Sequence, residues 1–452
     1  GGFLWVLADE GVKRVDMDGF IDNQGNFGAD GIVGPHHEKE GSYYTIKQLW
    51  SPVQVMNTAI DRNFDGKLSV ENRYDYLNLN TCRFIWQQVK FPSVTDASNT
   101  TTRILKQGEV QGSDVAAHGV GVVDIKTSIL PEADALFLTV IDKYGHELWR
   151  WTFPVDKLNR ETEQFSASSG RASYTETEKG ITVKANGRTF VFSKKDGQLK
   201  DVSVNNRKIS FANGPRFIGA RRADRSLDQF YNHDDEKAKA KDRTYSEFTD
   251  AAVFTKLDVK KEGGNLILTA NYKLGNLDKA QWTIHPDGMA TLDYTYNFSG
   301  VVDLMGICFD YPEEQVLSKR WLGAGPYRVW QNRIHGTQYD IWENDYNDPI
   351  PGETFTYPEF KGYFGSVSWM SIRTKEGTIS LRNETPDSYI GVYQPRDGRD
   401  RLLYTLPESG ISVLNVIPPV RNKVNSTDLC GPSSQPKWVD GPQTGRLVLR
   451  FE

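Results

Sequence analysis

Gly2-Phe3-Leu4-Trp5-Val6-Leu7-Ala8 is apolar on both faces, with no polar residue to mark a solvent side. Continuous runs of this kind suit a strand covered on both sides, as in a parallel sheet, whereas an edge hairpin would alternate. The run leads into Asp9 and Glu10, two carboxylates at a strand end, and then into a loop rich in Gly, Asp and Asn that closes on Asn26-Phe27-Gly28-Ala29-Asp30-Gly31. In barrel enzymes functional groups stand at such strand ends. After Pro35, the stretch Glu38 to Trp50 places Tyr43, Ile46, Lys47 and Trp50 at three- and four-residue spacings, a helical face that Ser51-Pro52 stops. Strand, loop and helix form one unit that cannot bury its own apolar faces, so it must pack on something else.

Helix periodicity nearly vanishes after Trp50. Short β-branched and aromatic runs follow, punctuated by Gly, Asn and Asp, which is the pattern of sandwich domains. A hairpin is predicted from Asn57–Phe64 and Lys67–Tyr74 about the turn Asp65-Gly66. Phe84-Ile85-Trp86, Ala135–Val140 and Glu147–Phe153 read as further strands of one immunoglobulin-like sandwich over 53–155, and polar residues 156–170 as a linker. Beyond it, Thr182–Ala185, Thr189–Phe192, Leu266–Ala270, Ala290–Tyr296 and Leu447–Phe451 point to one large antiparallel β domain over 171–452. The charged segment Asp234–Lys241 reads as a solvated surface stretch.

At 452 residues the chain is too long for one core. Its net charge is −5, from 54 basic and 59 acidic residues, and no basic cluster with interleaved aromatics stands out, which argues against nucleic acid as a partner. No apolar stretch reaches the roughly 18 residues of a membrane-spanning helix. The three cysteines, Cys82, Cys308 and Cys430, are far apart and odd in number, and read as buried or free thiols without metal chemistry. The compartment is unreadable; a periplasmic, secreted or cytoplasmic parent would all fit. The 11 Trp and 20 Tyr suit both sugar-binding surfaces and sandwich cores.

Several ordered motifs carry a resemblance. Gly2-Phe-Leu-Trp5, then Gly25-Asn-Phe27 through Asp30-Gly-Ile-Val-Gly-Pro35, Tyr43 to Trp50-Ser-Pro, and Val70-Glu-Asn-Arg-Tyr74 occur in the order found in the C-terminal half of glycoside hydrolase family 2 enzymes of the β-galactosidase type. Lys319-Arg-Trp-Leu-Gly-Ala-Gly-Pro-Tyr327 with Asn332-Arg333, and Tyr357-Pro-Glu-Phe-Lys-Gly362, resemble that family's signatures in its large terminal sandwich. The resemblance implies a mainly β fold: the last strand and helix of a (β/α)8 catalytic barrel at 1–52, an immunoglobulin-like β-sandwich at 53–155, and a galactose-mutarotase-like β-supersandwich at 171–452. It also implies a retaining glycosidase hydrolysing terminal β-galactosides in carbohydrate catabolism, with both catalytic glutamates on barrel strands that precede Gly2. The 452 residues alone are therefore expected to be inactive.

What the resemblance assigns to these residues is the rim of a sugar site. Trp5 stands where the family presents a tryptophan to the substrate, and an indole face suits the apolar face of a galactose-like ring. Asp9 and Glu10 are adjacent on a strand and point to opposite faces, so they do not replace the catalytic pair; hydrogen bonding behind the sugar or capping of the loop is the expected role of Asp9. His36, in the pair His36-His37, could face the pocket. Trp438 is the one tryptophan near the end that could loop back to it, although Cys430-Gly-Pro-Ser-Ser-Gln-Pro-Lys-Trp438 does not match the family's usual form well. A monovalent cation, Na or K, near the sugar would be held by the Phe27 carbonyl and the Asp30 side chain, with Mg a further cation of the intact enzyme. The family's better-known members have Asn where this chain has Asp30, which still suits a hard cation. The sugar and linkage stay open, as does homo-oligomerisation through the sandwiches.

Two other patterns give way to simpler readings. Asp61, Asn63, Asp65 and Gly66 match the opening of a calcium-binding EF-hand loop, but Asn72 stands where a bidentate Glu is required, and a turn explains them better. His285, His335 and Glu359 are candidates for the epimerase chemistry of mutarotases, but fold does not imply function. The competing class is a free-standing carbohydrate-binding or structural β module, with a groove near Trp321, Tyr327, Trp330, Trp342 or Trp369.

Overall fold

A computed structural model describes residues 3–22, 28, 31–94, 101–155, 170–222, 245–248, 250–345, 362–392, 407–419 and 431–452. The fold is mainly β with several sheets, and the one α-helix among the described residues is Gly41–Leu49. Residues 53–155 fold as two facing sheets. One orders Val53–Val55, Lys67–Asn72 and Val120–Asp124; the other orders Arg103–Gln111, Arg83–Lys90, Ala135–Ile141 and Glu147–Pro154. Their inward residues, among them Leu68, Val70, Phe84, Leu138 and Trp149, form one core.

The predicted partner of Lys67–Asn72 is corrected. That strand pairs with Val53–Val55 and Val120–Asp124, and 57–64 is no strand. The reason is local: Asp61 accepts from the Asn63 amide at 2.8 Å and Asp65 from the Lys67 amide at 3.0 Å, side-chain turns that divert the backbone from a ladder. Gly66, at φ +88°, completes the reversal.

From Ser173 onward two large antiparallel sheets pack face to face. Strands Gly180–Ala185, Arg188–Ser193, Leu199–Val204, Ala212–Arg222, Leu304–Asp310 and Ile411–Val416 run side by side in the first. The second runs from Val253–Glu262 through Ala290–Val302, Lys437–Phe451, Thr378–Asn383, Trp369–Thr374 and Val316–Gly325 to the edge strand Gln338–Asp345. Alternation decides which side faces in: Ile181, Val183 and Ala185 are buried while Thr182 and Lys184 are not. One continuous core joins the two sheets. Trp321 and Trp369 are buried within strands, and Trp330 is buried beside Tyr363.

The edge strand Gln338–Asp345 meets the small sandwich at Glu147–Pro154. Arg150 bonds both Gln338 at 2.8 Å and Asp340 at 3.1 Å, and the Tyr339 amide donates to Thr152 Oγ1 at 2.7 Å. The two sandwiches therefore share a specific polar seam.

Cys82 and Cys308 are free and buried, and burial raises the pKa of both thiols; Cys430 lies outside the described residues. Reactive thiolate is scarce when a thiol is both buried and pushed up. Both cysteines are expected to react with dithionitrobenzoate at least tenfold more slowly in the native chain than in urea, and equal rates would contradict their burial.

Candidate functional site

The opening apolar run does not form the predicted strand. Between Phe3 and Ala8 the one ladder contact is an isolated parallel bridge from Ala8 to Val33. A strand covered on both sides needs neighbours to take its N–H and C=O groups, and no neighbouring strand flanks it among the described residues. Phe3, Trp5 and Leu7 are instead 102%, 81% and 62% exposed, three alternate residues presenting large apolar groups to solvent. Val12–Arg14 and Phe20–Asp22 then pair as a short hairpin.

The other end of this segment is firmly tied. The Leu7 carbonyl accepts from the Ile32 and Val33 amides, and the Asp9 amide donates to the Val33 carbonyl at 2.9 Å. The Asp9 carboxylate is buried and accepts from the Gly31 amide at 2.7 Å, which fixes the returning loop. Beside it stands Glu40, 2% exposed, at the start of the helix. Burial, reinforced by the negative charge and hydrogen bond of Asp9, pushes the Glu40 carboxyl up to about 8; Arg333 acts in the opposite direction. At neutral pH the Glu40 carboxyl is therefore largely protonated beside the Asp9 carboxylate.

The helix Gly41–Leu49 is seated by both sandwiches. Lys47 pairs with Glu147 at 3.0 Å, and Tyr44 packs against the small sandwich's core. On the other side Thr45 Oγ1 donates to the His335 carbonyl at 2.9 Å, the Gly336 amide donates to Gln48 Oε1 at 2.6 Å, and Tyr44 meets Tyr327 at 5.2 Å between ring centroids. The sequence reading also predicts that the helix and the Phe3–Leu7 run lie against the small sandwich; the helix does, but the side chains of Phe3, Trp5 and Leu7 stand in solvent, and the large sandwich shares the helix's seat.

The loop after Gly325 also reaches the end of the chain. Gln331 Nε2 donates to the carbonyls of Ser433 and Gln435, at 2.9 and 2.6 Å, and Asn332 Nδ2 to Ser434 Oγ at 3.0 Å. Residues 326–337 therefore hold both the N-terminal helix and the turn that precedes Trp438.

Of the residues singled out in the sequence, Trp5 is exposed at the edge of this assembly and Asp9 is enclosed in it. His36 is exposed, its amide bonded to Glu38. Trp438 is 71% exposed, opposite Val301 in the long terminal strand. Phe27 and Asp30 lie outside the described residues, as does Glu359. No group of three or more His, Cys, Asp or Glu poised for a metal occurs among the described residues. His285 bonds Thr291 and His335 lends its carbonyl to Thr45, so both have structural tasks. Glu40 went unnoticed in the sequence, because a carboxylate just before a helix reads as ordinary N-terminal charge.

The family model for the beta galactosidase small chain matches residues 184–414, half of the chain. The chain belongs to that family. A β-galactosidase of Priestia megaterium (strain DSM 319 / IMG 1521) is 21% identical over 412 residues, covering 83% of this chain and 37% of the relative. The beta galactosidase small chain member described here thus spans a little over a third of that relative's length, and corresponds to a C-terminal part of a β-galactosidase-type enzyme. Among solved structures, the galactose 1-epimerase of Lactobacillus acidophilus NCFM is similar at 10% identity, over 63% of this chain and 99% of that one, with a TM-score of 0.33. A putative mutarotase of Salmonella typhimurium follows at 9%, over 62% and 93%, with a TM-score of 0.29. No described helix is long and apolar enough to cross a membrane.

Proposed function

We propose that the chain is the C-terminal portion of a retaining glycoside hydrolase acting on terminal β-galactosides, and that it supplies the rim of the sugar site while the two catalytic carboxylates come from barrel strands outside these 452 residues. The observation that carries the reading is the segment Phe3–Asp9: an unburied apolar face that includes Trp5, ending on a carboxylate locked to the loop behind it. A face of this kind marks a missing partner, and a barrel's remaining strands would cover it. Under this reading residues 1–52 are the barrel's last unit, the helix is its anchor on both sandwiches, and Trp5 is the sugar platform. Phe27 and Asp30 would offer oxygen ligands to a monovalent cation, and His36 and Trp438 would stand at the pocket's edge. Asp9 and Glu40 do not serve as the catalytic pair, because both are buried against each other with Asp9 tied to the Gly31 amide, whereas a retaining pair stands about 5 to 5.5 Å apart across a substrate.

Hydrolysis of an aryl β-galactoside tests this. The chain alone is expected to give no turnover above buffer, and activity is expected when it is mixed with the part of the Priestia megaterium relative that it leaves unmatched. Trp5→Ala should lower that restored kcat/KM by about tenfold to a hundredfold, the range of one good aromatic contact. Turnover by the chain alone would overturn the assignment of the catalytic carboxylates.

A further inference from the structure

Gly336 lies directly against the helix Gly41–Leu49, with φ +87°. A methyl group there would stand 2.5 Å from the Thr45 nitrogen and 2.8 Å from the Tyr44 carbonyl carbon. Both are backbone atoms, so relief of that clash means moving the helix itself. The large sandwich and the helix therefore meet backbone to backbone, a contact and a φ that together require glycine. Two bonds lock it: Thr45 Oγ1 donates to the His335 carbonyl, and the Gly336 amide donates to Gln48 Oε1.

From that contact a short run of bonds leads to the proposed sugar rim. The Glu40 amide, at the start of the helix, donates to the Ile32 carbonyl at 3.3 Å, and the Ile32 amide donates to the Leu7 carbonyl at 3.0 Å. Leu7 is two residues from Trp5. Gly31 backs onto the Ala8–Asp9 peptide so closely that a methyl group there would stand 2.4 Å from the Asp9 nitrogen. The returning loop thus has no slack against Phe3–Asp9, and a shift of the helix is passed on to it. We infer that Gly336 is a positioning residue for the sugar site: through the helix seated on this glycine, the large sandwich fixes where the Trp5 platform stands. The consequence for sugar binding rests on the glycosidase reading above; the mechanical link does not. A misplacement of about 1 Å, caused far from the chemistry, is enough to cost an enzyme on the order of a hundredfold.

The mixture that restores aryl β-galactoside hydrolysis tests the inference. Gly336→Ala is expected to raise KM about tenfold and leave kcat nearly unchanged, since a displaced platform weakens sugar binding whereas a partly unfolded sample loses kcat at constant KM. In a Trp5→Ala background it should cost little more, because its effect runs through Trp5. Gly145→Ala carries the same φ, +87°, with nothing within 4 Å of the added methyl group, and is expected to match the parent. Gln48→Ala removes the acceptor of the Gly336 amide without adding bulk, and should move KM in the same direction even if Gly336→Ala does not fold. Full additivity with Trp5→Ala, or loss of kcat at unchanged KM, overturns the inference. A parent mixture without activity sinks the glycosidase reading instead, and amide exchange on the 452-residue chain alone then decides the link. Protection of the Ile32 amide should fall about tenfold in Gly336→Ala and hold in Gly145→Ala; equal protection in parent and both variants overturns the link.

Discussion

Trp282→Ala is expected to destabilise the chain by about 3 to 5 kcal/mol, the range for deleting a large aromatic side chain from a packed core. Trp282 belongs to one large sheet and is 1% exposed. It meets Phe192 and Phe309 of the facing sheet edge-on, at 5.9 and 6.1 Å between centroids. The ring therefore links the two layers, and its removal leaves a void that neither sheet can fill without breaking its ladder. Trp282→Phe is expected to cost less than half as much. It keeps an aromatic ring against both phenylalanines, and it removes an indole N–H that has no hydrogen-bond partner among the described residues. Urea unfolding followed by circular dichroism measures both. A loss below about 1 kcal/mol for the alanine variant, or equal losses for the two, would rule out this account of how the layers are joined.

The contrast between Trp282 and Trp5 explains how much of the molecule could be read from the sequence. Trp282 lies in the alternating run Ala280–Ile284, whose inward residues Ala280, Trp282 and Ile284 are fixed by period two alone. The same applies to Gly180–Ala185, so the mainly β architecture and its core were legible. Phe3–Ala8 reads just as plainly as a strand, yet a parallel strand is a property of its neighbours, and none is present among the described residues to receive it. The turn at Asp61–Gly66 was visible, but the partner of Lys67–Asn72 was not, because side-chain bonds of Asp61 and Asp65 compete with the ladder. The seat of the helix was also hidden. It joins Thr45 and Gln48 to His335 and Gly336, some 290 residues away in the chain, and no local pattern encodes such a contact.

Glu40→Gln is expected to stabilise the tie between the N-terminal segment and the rest of the molecule at pH 8, by about 1 to 3 kcal/mol, and to remove most of its pH dependence between about 4.5 and 8. The sign follows from which state holds the proton. Below the ordinary value of 4.5 both the folded and the unfolded chain keep Glu40 neutral, and its contribution is complete. As pH rises from there, the unfolded chain loses the proton while the folded site, raised to about 8, retains it, so folding becomes progressively less favourable. Above about 8 both states are ionised and the loss is complete. Burial is the principal cause and the neighbouring Asp9 charge the next; Glu38 adds to the effect and Arg333 offsets part of it. A neutral carboxamide can still donate to Asp9, and it carries no charge to desolvate. Amide hydrogen exchange at Asp9, which donates to the Val33 carbonyl, and at Val33, which donates to the Leu7 carbonyl, reads the local opening directly. Protection at these amides should fall from pH 5 to pH 8 in the parent chain, after correction for intrinsic exchange, and stay level in Glu40→Gln. An unchanged slope in the variant, or weaker protection than the parent at pH 8, would mean that Glu40 is not the group whose proton closes this junction.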